Sequence, residues 1–252
     1  MKIIKYQKLK SNKYKVTLDN EESITLYDNV ILENNLLLSK EISNVDAILK
    51  ENEYYDAYFL SLKYISKKLR TKKEIHNYLI NKFDISVIDD TIKKLEKEGY
   101  LNDDIYIKSF INGQINLTNN GYYKIFRTLI NNGLKESKVL DCLNSIDREV
   151  WINKAKKIIE KSIKSNNKYS SKHLKEKLLY DLNNKGYDNN DIIELVNSID
   201  LEDNNTILEK NYKTLYTKLS RKYKGKELEA QLLNKLMAKG FKYSDVKEIL
   251  NK

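Results

Sequence analysis

The 252 residues suffice for a sizeable core, yet with 40% hydrophobic and 33% charged residues no run approaches the ~18 apolar residues of a membrane-spanning helix. Forty-six Lys and Arg against 36 Asp and Glu give a formal charge of +10, a balance that favours polyanions or acidic protein surfaces. A single cysteine excludes an internal disulfide and fits a reducing compartment, and two histidines in non-equivalent places make no convincing zinc set.

In chain order, Lys2 to Tyr6, Tyr14 to Leu18 and Ser23 to Tyr27 alternate with the period of two that marks strands, and Asp19-Asn20-Glu21 is a polar turn between the last two. A small antiparallel sheet of about three strands is expected. Val30 to Leu38 adds a short helix, and Asn44 to Glu51 another that links onward. Met1 to Tyr6 has no apolar signal region of ~7 to 15 residues, so the expected location is the cytoplasm. Proline is absent, which we ascribe to codon bias in a chain rich in Lys, Asn, Ile and Tyr.

Beyond residue 50 the chain repeats itself. Leu178, Leu179, Leu182, Lys185, Gly186, Tyr187, Asp191, Ile192 and Leu195 return as Leu232, Leu233, Leu236, Lys239, Gly240, Phe241, Asp245, Val246 and Ile249, a step of 54 residues. A third copy carries Ile125, Phe126, Leu129, Gly133, Leu134, Val139 and Cys142. A fourth, weaker one carries Ile75, Leu79, Ile88, Ile92 and Leu95, with the glycine deleted between Lys82 and Phe83. In each copy an apolar helical face ends at a turn, which glycine forms by taking a left-handed conformation, and a second helix follows. Thr71-Lys72-Lys73-Glu74 has the spacing of a capping box. One amphipathic segment precedes each pair: Asp56 to Lys68, Asp103 to Asn116, Val150 to Lys164 and Asn205 to Lys222. Neither helix of such a unit buries its apolar stripe alone, so the units must stack.

The expected fold is mainly α: tandem three-helix repeats in an elongated curved array, preceded by a small N-terminal antiparallel β element. The expected parts are 1–42 for that element, 43–101 for a linker helix with repeat 1, then 102–148, 149–200 and 201–252 for repeats 2 to 4. Hinges are expected at 99–103 and near 200–205.

Catalytic chemistry is not legible. His76 takes a core position of the repeat, His173 stands among lysines, and Cys142 replaces Leu195 and Ile249 and reads as a small buried hydrophobe. No phosphate loop or dinucleotide fingerprint occurs, and acidic pairs such as Asp89-Asp90 fit helix faces. Neither an enzyme, a metal nor a cofactor is expected. Positive charge instead clusters at entries to the second helix of a unit, interleaved with Tyr64, Tyr169 and Tyr223. The expected contact edge is Lys68, Arg70, Lys72, Lys73, Arg127, Lys172, Lys175, Arg221, Lys222, Lys224 and Lys226, suited to a phosphate backbone or an acidic groove.

The order of an N-terminal sheet, Ala57-Tyr58 at the opening of a helix, Leu69-Arg70-Thr71-Lys72-Lys73-Glu74-Ile75, Gly99-Tyr100-Leu101-Asn102-Asp103 and Lys239-Gly240-Phe241 resembles the bacterial RecX family over nearly the whole chain. Arg-Thr-x-x-Glu-Ile is similar to that family's Arg-Ser-x-x-Glu-Leu. The resemblance implies tandem three-helix repeats in a long form with an extra repeat. It also implies a monomeric regulator that binds RecA filaments, and single- or double-stranded DNA directly, and damps ATP hydrolysis, strand exchange and co-protease activity in recombination, DNA repair and the SOS response. The competing expectation is a sequence-independent basic DNA-binding repeat protein that acts without RecA.

Overall fold

A computed structural model describes residues 1–201 and 205–251. Three strands, β1 (Ile3–Lys8), β2 (Lys13–Leu18) and β3 (Ser23–Tyr27), form an antiparallel sheet in that order, with Val16 opposite both Tyr6 and Ile24. Alternation along β2 sends Val16 and Leu18 inward to complete burial while Lys15 faces solvent.

The single short helix expected from Val30 to Leu38 is two: α1 (Asp28–Glu33) and α2 (Leu36–Ser39). Asn34-Asn35 breaks it, because Asn35 takes φ 50°, a left-handed conformation that asparagine tolerates better than most residues. Conversely, the linker helix and the first repeat helix are one continuous element, α3 (Val45–Ile65). Asn44 caps its start by accepting from the Ala47 amide at 3.1 Å, and nothing between Glu51 and Asp56 breaks a helix. Tyr55, Ala57 and Tyr58 of α3 are buried against the sheet and the next helices.

The remaining helices are α4 (Lys72–Leu79), α5 (Ile85–Lys97), α6 (Asp103–Leu117), α7 (Tyr122–Asn131), α8 (Glu136–Asn144), α9 (Arg148–Ser165), α10 (Ser171–Asn184), α11 (Asn189–Asn197), α12 (Asn205–Leu219), α13 (Gly225–Met237) and α14 (Tyr243–Leu250). Fourteen helices are thus found among the described residues, and none is long and apolar enough to cross a membrane. The expected hinge near 200–205 falls partly outside the described residues.

The chain divides into two compact units: Met1–Lys108 with Asn131–Lys135, and Ser109–Ile130 with Glu136–Lys252. The core of the first joins Val16, Leu26 and Val30 to Ile75, Leu79, Ile88 and Leu95. In the second, Leu182, Tyr187 and Ile192 lie in one cluster and Leu236, Phe241 and Val246 in another, the same positions one period apart.

The glycine turn closes as the repeat requires. Gly186 has φ +80°, its amide donates to the Asn183 carbonyl at 2.8 Å, and the Tyr187 amide donates to Leu182 at 3.2 Å, the paired bonds of a Schellman cap. Gly240 repeats this with φ +83° and the bonds Gly240 to Met237 and Phe241 to Leu236.

These turns also carry a contact between repeats. The Gly121 amide donates to the Lys185 carbonyl at 2.8 Å and the Tyr123 amide to the Gly186 carbonyl at 2.9 Å, so the start of α7 rests on the turn that ends α10. One period on, the Ser170 amide donates to the Lys239 carbonyl at 3.4 Å, and a Cβ on Gly240 would lie 2.6 Å from the Ser170 hydroxyl oxygen. Within the first unit, Lys73 Nζ donates to the Asn131 carbonyl at 2.9 Å, and the lysine stem covers Gly133. In each case the second helix of one repeat starts on the glycine turn of the next.

Candidate partner-binding site

The basic helix entries are local structures with distinct geometries. In the first, the Glu74 amide donates to Thr71 Oγ1 at 3.2 Å and the Thr71 amide donates to Glu74 Oε2 at 3.0 Å, the reciprocal capping box that the spacing predicts. Glu74 also receives Arg70 Nη1 at 3.0 Å and faces Lys68 Nζ at 3.5 Å. Burial works to raise the pKa of its carboxyl, but the Thr71 amide, Arg70 and Lys68 together outweigh that and hold it below the usual range.

Arg70 is the departure from an exposed basic edge. Its side chain is only 10% exposed, its guanidinium lies 3.6 Å from the centre of the Tyr64 ring, and its Nε is buried with no hydrogen-bond partner among the described residues. Tyr64 stacks in turn on Tyr78, with centroids 4.3 Å apart at 12°, and Lys82 Nζ sits 3.8 Å over Tyr78. The result is a ladder of guanidinium, ring, ring and ammonium. Tyr78 and Lys82 escape a reading based on helix entries because Tyr78 stands in the last turn of α4 and Lys82 in the turn that follows it.

Other first-unit cations are engaged differently. Lys72 pairs with Glu96 of α5, Lys73 spans to the Asn131 carbonyl as above, and Lys68 keeps a side chain 61% exposed.

In the second unit Arg127 is exposed on α7, Lys172 is exposed and Lys175 half-buried on α10, and Arg221, Lys222, Lys224 and Lys226 are exposed around the turn into α13. Ser170 caps α10 by accepting from the His173 amide at 3.3 Å, whereas Lys224 before α13 supplies no side-chain cap. Lys168 Nζ lies 5.1 Å over the Tyr169 ring, and the His173 ring lies 5.0 Å from that ring with its Nδ1 3.5 Å from Glu176. His173 therefore has partners and does not stand alone, and Cys142 is half-buried rather than fully enclosed.

Cations crowd helix starts, where the backbone dipole is itself positive, so they oppose the macrodipole unless an anion is present. The structure brings Lys68 and Arg70 together on Glu74 and leaves the lysines before α13 in solvent.

Fold and site define a class: a tandem three-helix repeat protein with a small β element in front and cationic, aromatic-flanked helix entries. The model of the first three-helix domain of RecX matches residues 57–95. Regulatory protein RecX of Streptococcus agalactiae serotype III is 34% identical over 260 residues, covering 99% of this chain and 98% of that protein. The Lactococcus lactis subsp. lactis regulatory protein RecX is 33% identical over 269 residues, covering 99% and 97%. Among solved structures, one of a regulatory protein RecX aligns with a TM-score of 0.67 at 23% identity over 79% of this chain and all of the other. That of RecX from Lactobacillus salivarius aligns with 0.53 at 24% over 59% of this chain and 99% of the other. The chain belongs to the RecX family of regulatory proteins.

Proposed function

We propose that this protein is a cytoplasmic, monomeric regulator that binds RecA nucleoprotein filaments and lowers their ATPase, strand-exchange and co-protease activities in recombination, DNA repair and the SOS response. The observation that carries the reading is full-length membership of the RecX family, combined with cations at the starts of α4, α10 and α13. The reading treats the chain as a β element (1–42) and four repeats (43–101, 102–148, 149–200 and 201–252). A filament presents repeating sites, and repeats offer it repeating contacts, so weak interactions combine through effective concentration. Lys68, Lys72, Lys73, Arg127, Lys172, Lys175, Arg221, Lys222, Lys224 and Lys226 supply the contact charges. Arg70, held between Tyr64 and Glu74, shapes the first entry and presents its ladder. Helix starts bearing lysines are suited to phosphates or carboxylates, which remove the conflict with the dipole.

The test is the single-stranded-DNA-dependent ATPase of the cognate RecA, titrated with this protein at two salt concentrations. Inhibition at low ratios to RecA is expected, since competition for DNA requires enough protein to cover the strand. Inhibition that follows only the DNA covered, or none, replaces this reading with a basic DNA-binding protein acting without RecA.

A further inference from the structure

A cleft of ≈ 590 Å³ lies in the second unit among α7, α8, α9 and α11, and the cationic helix entries do not account for it. Its lining is largely aromatic and apolar: Tyr122, Phe126, Trp151 and Tyr187 stand beside the half-buried Leu140 and Ile152. The rings are fixed before anything binds. Tyr122 meets Trp151 edge to face at 6.1 Å and 84°, and its hydroxyl donates to Asn144 Oδ1 at 2.7 Å. The Tyr123 hydroxyl donates to Asp188 Oδ2 at 3.2 Å, while Asp188 Oδ1 caps α11 by accepting from the Asn190 amide at 2.9 Å. Preformed walls suit recognition, because little ordering entropy is left to lose on binding.

The rim has the opposite sign from the chain as a whole. Arg148 Nε donates to Asp191 Oδ1 at 3.1 Å, Asp188 lines the same cleft, and Glu194 follows Asp191 by one turn of α11, so the rim carries more carboxylates than cations in a chain of formal charge +10. Asp191 is the enclosed partner with a side chain 13% exposed, and Arg148 is the exposed one at 69%. An incoming cation can therefore displace the exposed Arg148 end and take up the enclosed Asp191 carboxylate.

We propose that this cleft receives a short segment of a partner protein in which a leucine, isoleucine or phenylalanine stands next to an arginine or lysine. The apolar side chain enters between the rings and the cation lands on Asp191. The inference is independent of the RecA reading, since it rests on cleft shape and charge alone.

Trp151 is the sole tryptophan of the chain and lines the cleft, so its emission reports occupancy. The full chain is titrated with capped hexapeptides Gly-Ser-X-B-Gly-Ser, and with X and B reversed. X is Leu, Ile, Phe or Ser, and B is Arg, Lys, Gln or Glu. Concentrations extend through the millimolar range, the order of affinity expected of so small a ligand. A saturable change in emission is expected when X is apolar and B is Arg or Lys, weakened about 10-fold or more by Ser at X or Glu at B, about what loss of one buried anchor costs. Glu194→Lys, an exposed change on α11, is expected to weaken binding several-fold while the far-ultraviolet dichroism stays that of the parent. No saturable change with any peptide, a response indifferent to X and B, or full affinity in Glu194→Lys overturns the proposal.

Discussion

Gly186 and Gly99 have the same φ, +80°, and different surroundings, so together they separate backbone strain from crowding. A Cβ on Gly99 meets nothing within 4 Å, and Gly99→Ala is expected to lose only the left-handed penalty, about 1 kcal/mol. A Cβ on Gly186 lies 2.7 Å from Lys124 Cβ and overlaps the Lys124 backbone nitrogen; Gly186→Ala is expected to cost about 3 kcal/mol or more, because the neighbouring helix start must move. Urea unfolding of the two variants checks the difference, and equal losses would mean that the crowding is relieved at no cost. Glu74 supplies a second residue-scale expectation. Its folded pKa lies below its ordinary 4.5, so its contribution to stability is fully present above that value and declines as pH falls through the folded pKa. The stability of Glu74→Gln, followed from pH 7 to below 4, is expected to lose part of this acid dependence. Unchanged acid dependence would remove Glu74 from the account.

At the scale of the element, the sequence reading succeeds where the signal is local and periodic. The three strands, the capping box at Thr71 and the helix pairs around Gly133, Gly186 and Gly240 follow from alternation, from S/T-x-x-E spacing and from glycine placed after an apolar stripe. It fails where an element's extent depends on what is absent. Nothing in α3 marks where a linker ends and a repeat begins, so Asn44 to Glu51 reads as separate, and Asn34-Asn35 reads as helix until the left-handed turn is seen. The site is less legible than the fold. Clustered lysines are visible in the chain, but that Arg70 turns inward onto Tyr64, or that Trp151 walls a cleft with Tyr122, depends on residues brought together from different helices. Removing the cap with Thr71→Ala is expected to lower stability by about 1 kcal/mol, as for N-caps generally, measured by thermal or urea unfolding.

For the whole molecule, the decisive quantity is charge. A formal +10 makes binding to nucleic acid salt-dependent, because each neutralised phosphate releases condensed counterions. If Arg221, Lys222, Lys224 and Lys226 each meet a phosphate of single-stranded DNA, replacing all four with glutamine is expected to reduce the slope of log affinity against log salt by about 3. An unchanged slope places DNA contact elsewhere on the chain. The carboxylates around Arg148 are expected to leave this slope untouched, so Glu194→Lys separates the acidic cleft from the basic helix entries in one assay.

The contact between repeats is written largely in main-chain atoms: the amides of Gly121, Tyr123 and Ser170 against the carbonyls of Lys185, Gly186 and Lys239. Main-chain groups are common to all residues, so these bonds survive side-chain change provided that glycine holds the turn, while Lys73 on the Asn131 carbonyl and Tyr123 on Asp188 add side-chain contacts at particular seams. A fold joined in this way tolerates extensive substitution over evolutionary time, consistent with solved relatives that superpose with it at 23% and 24% identity.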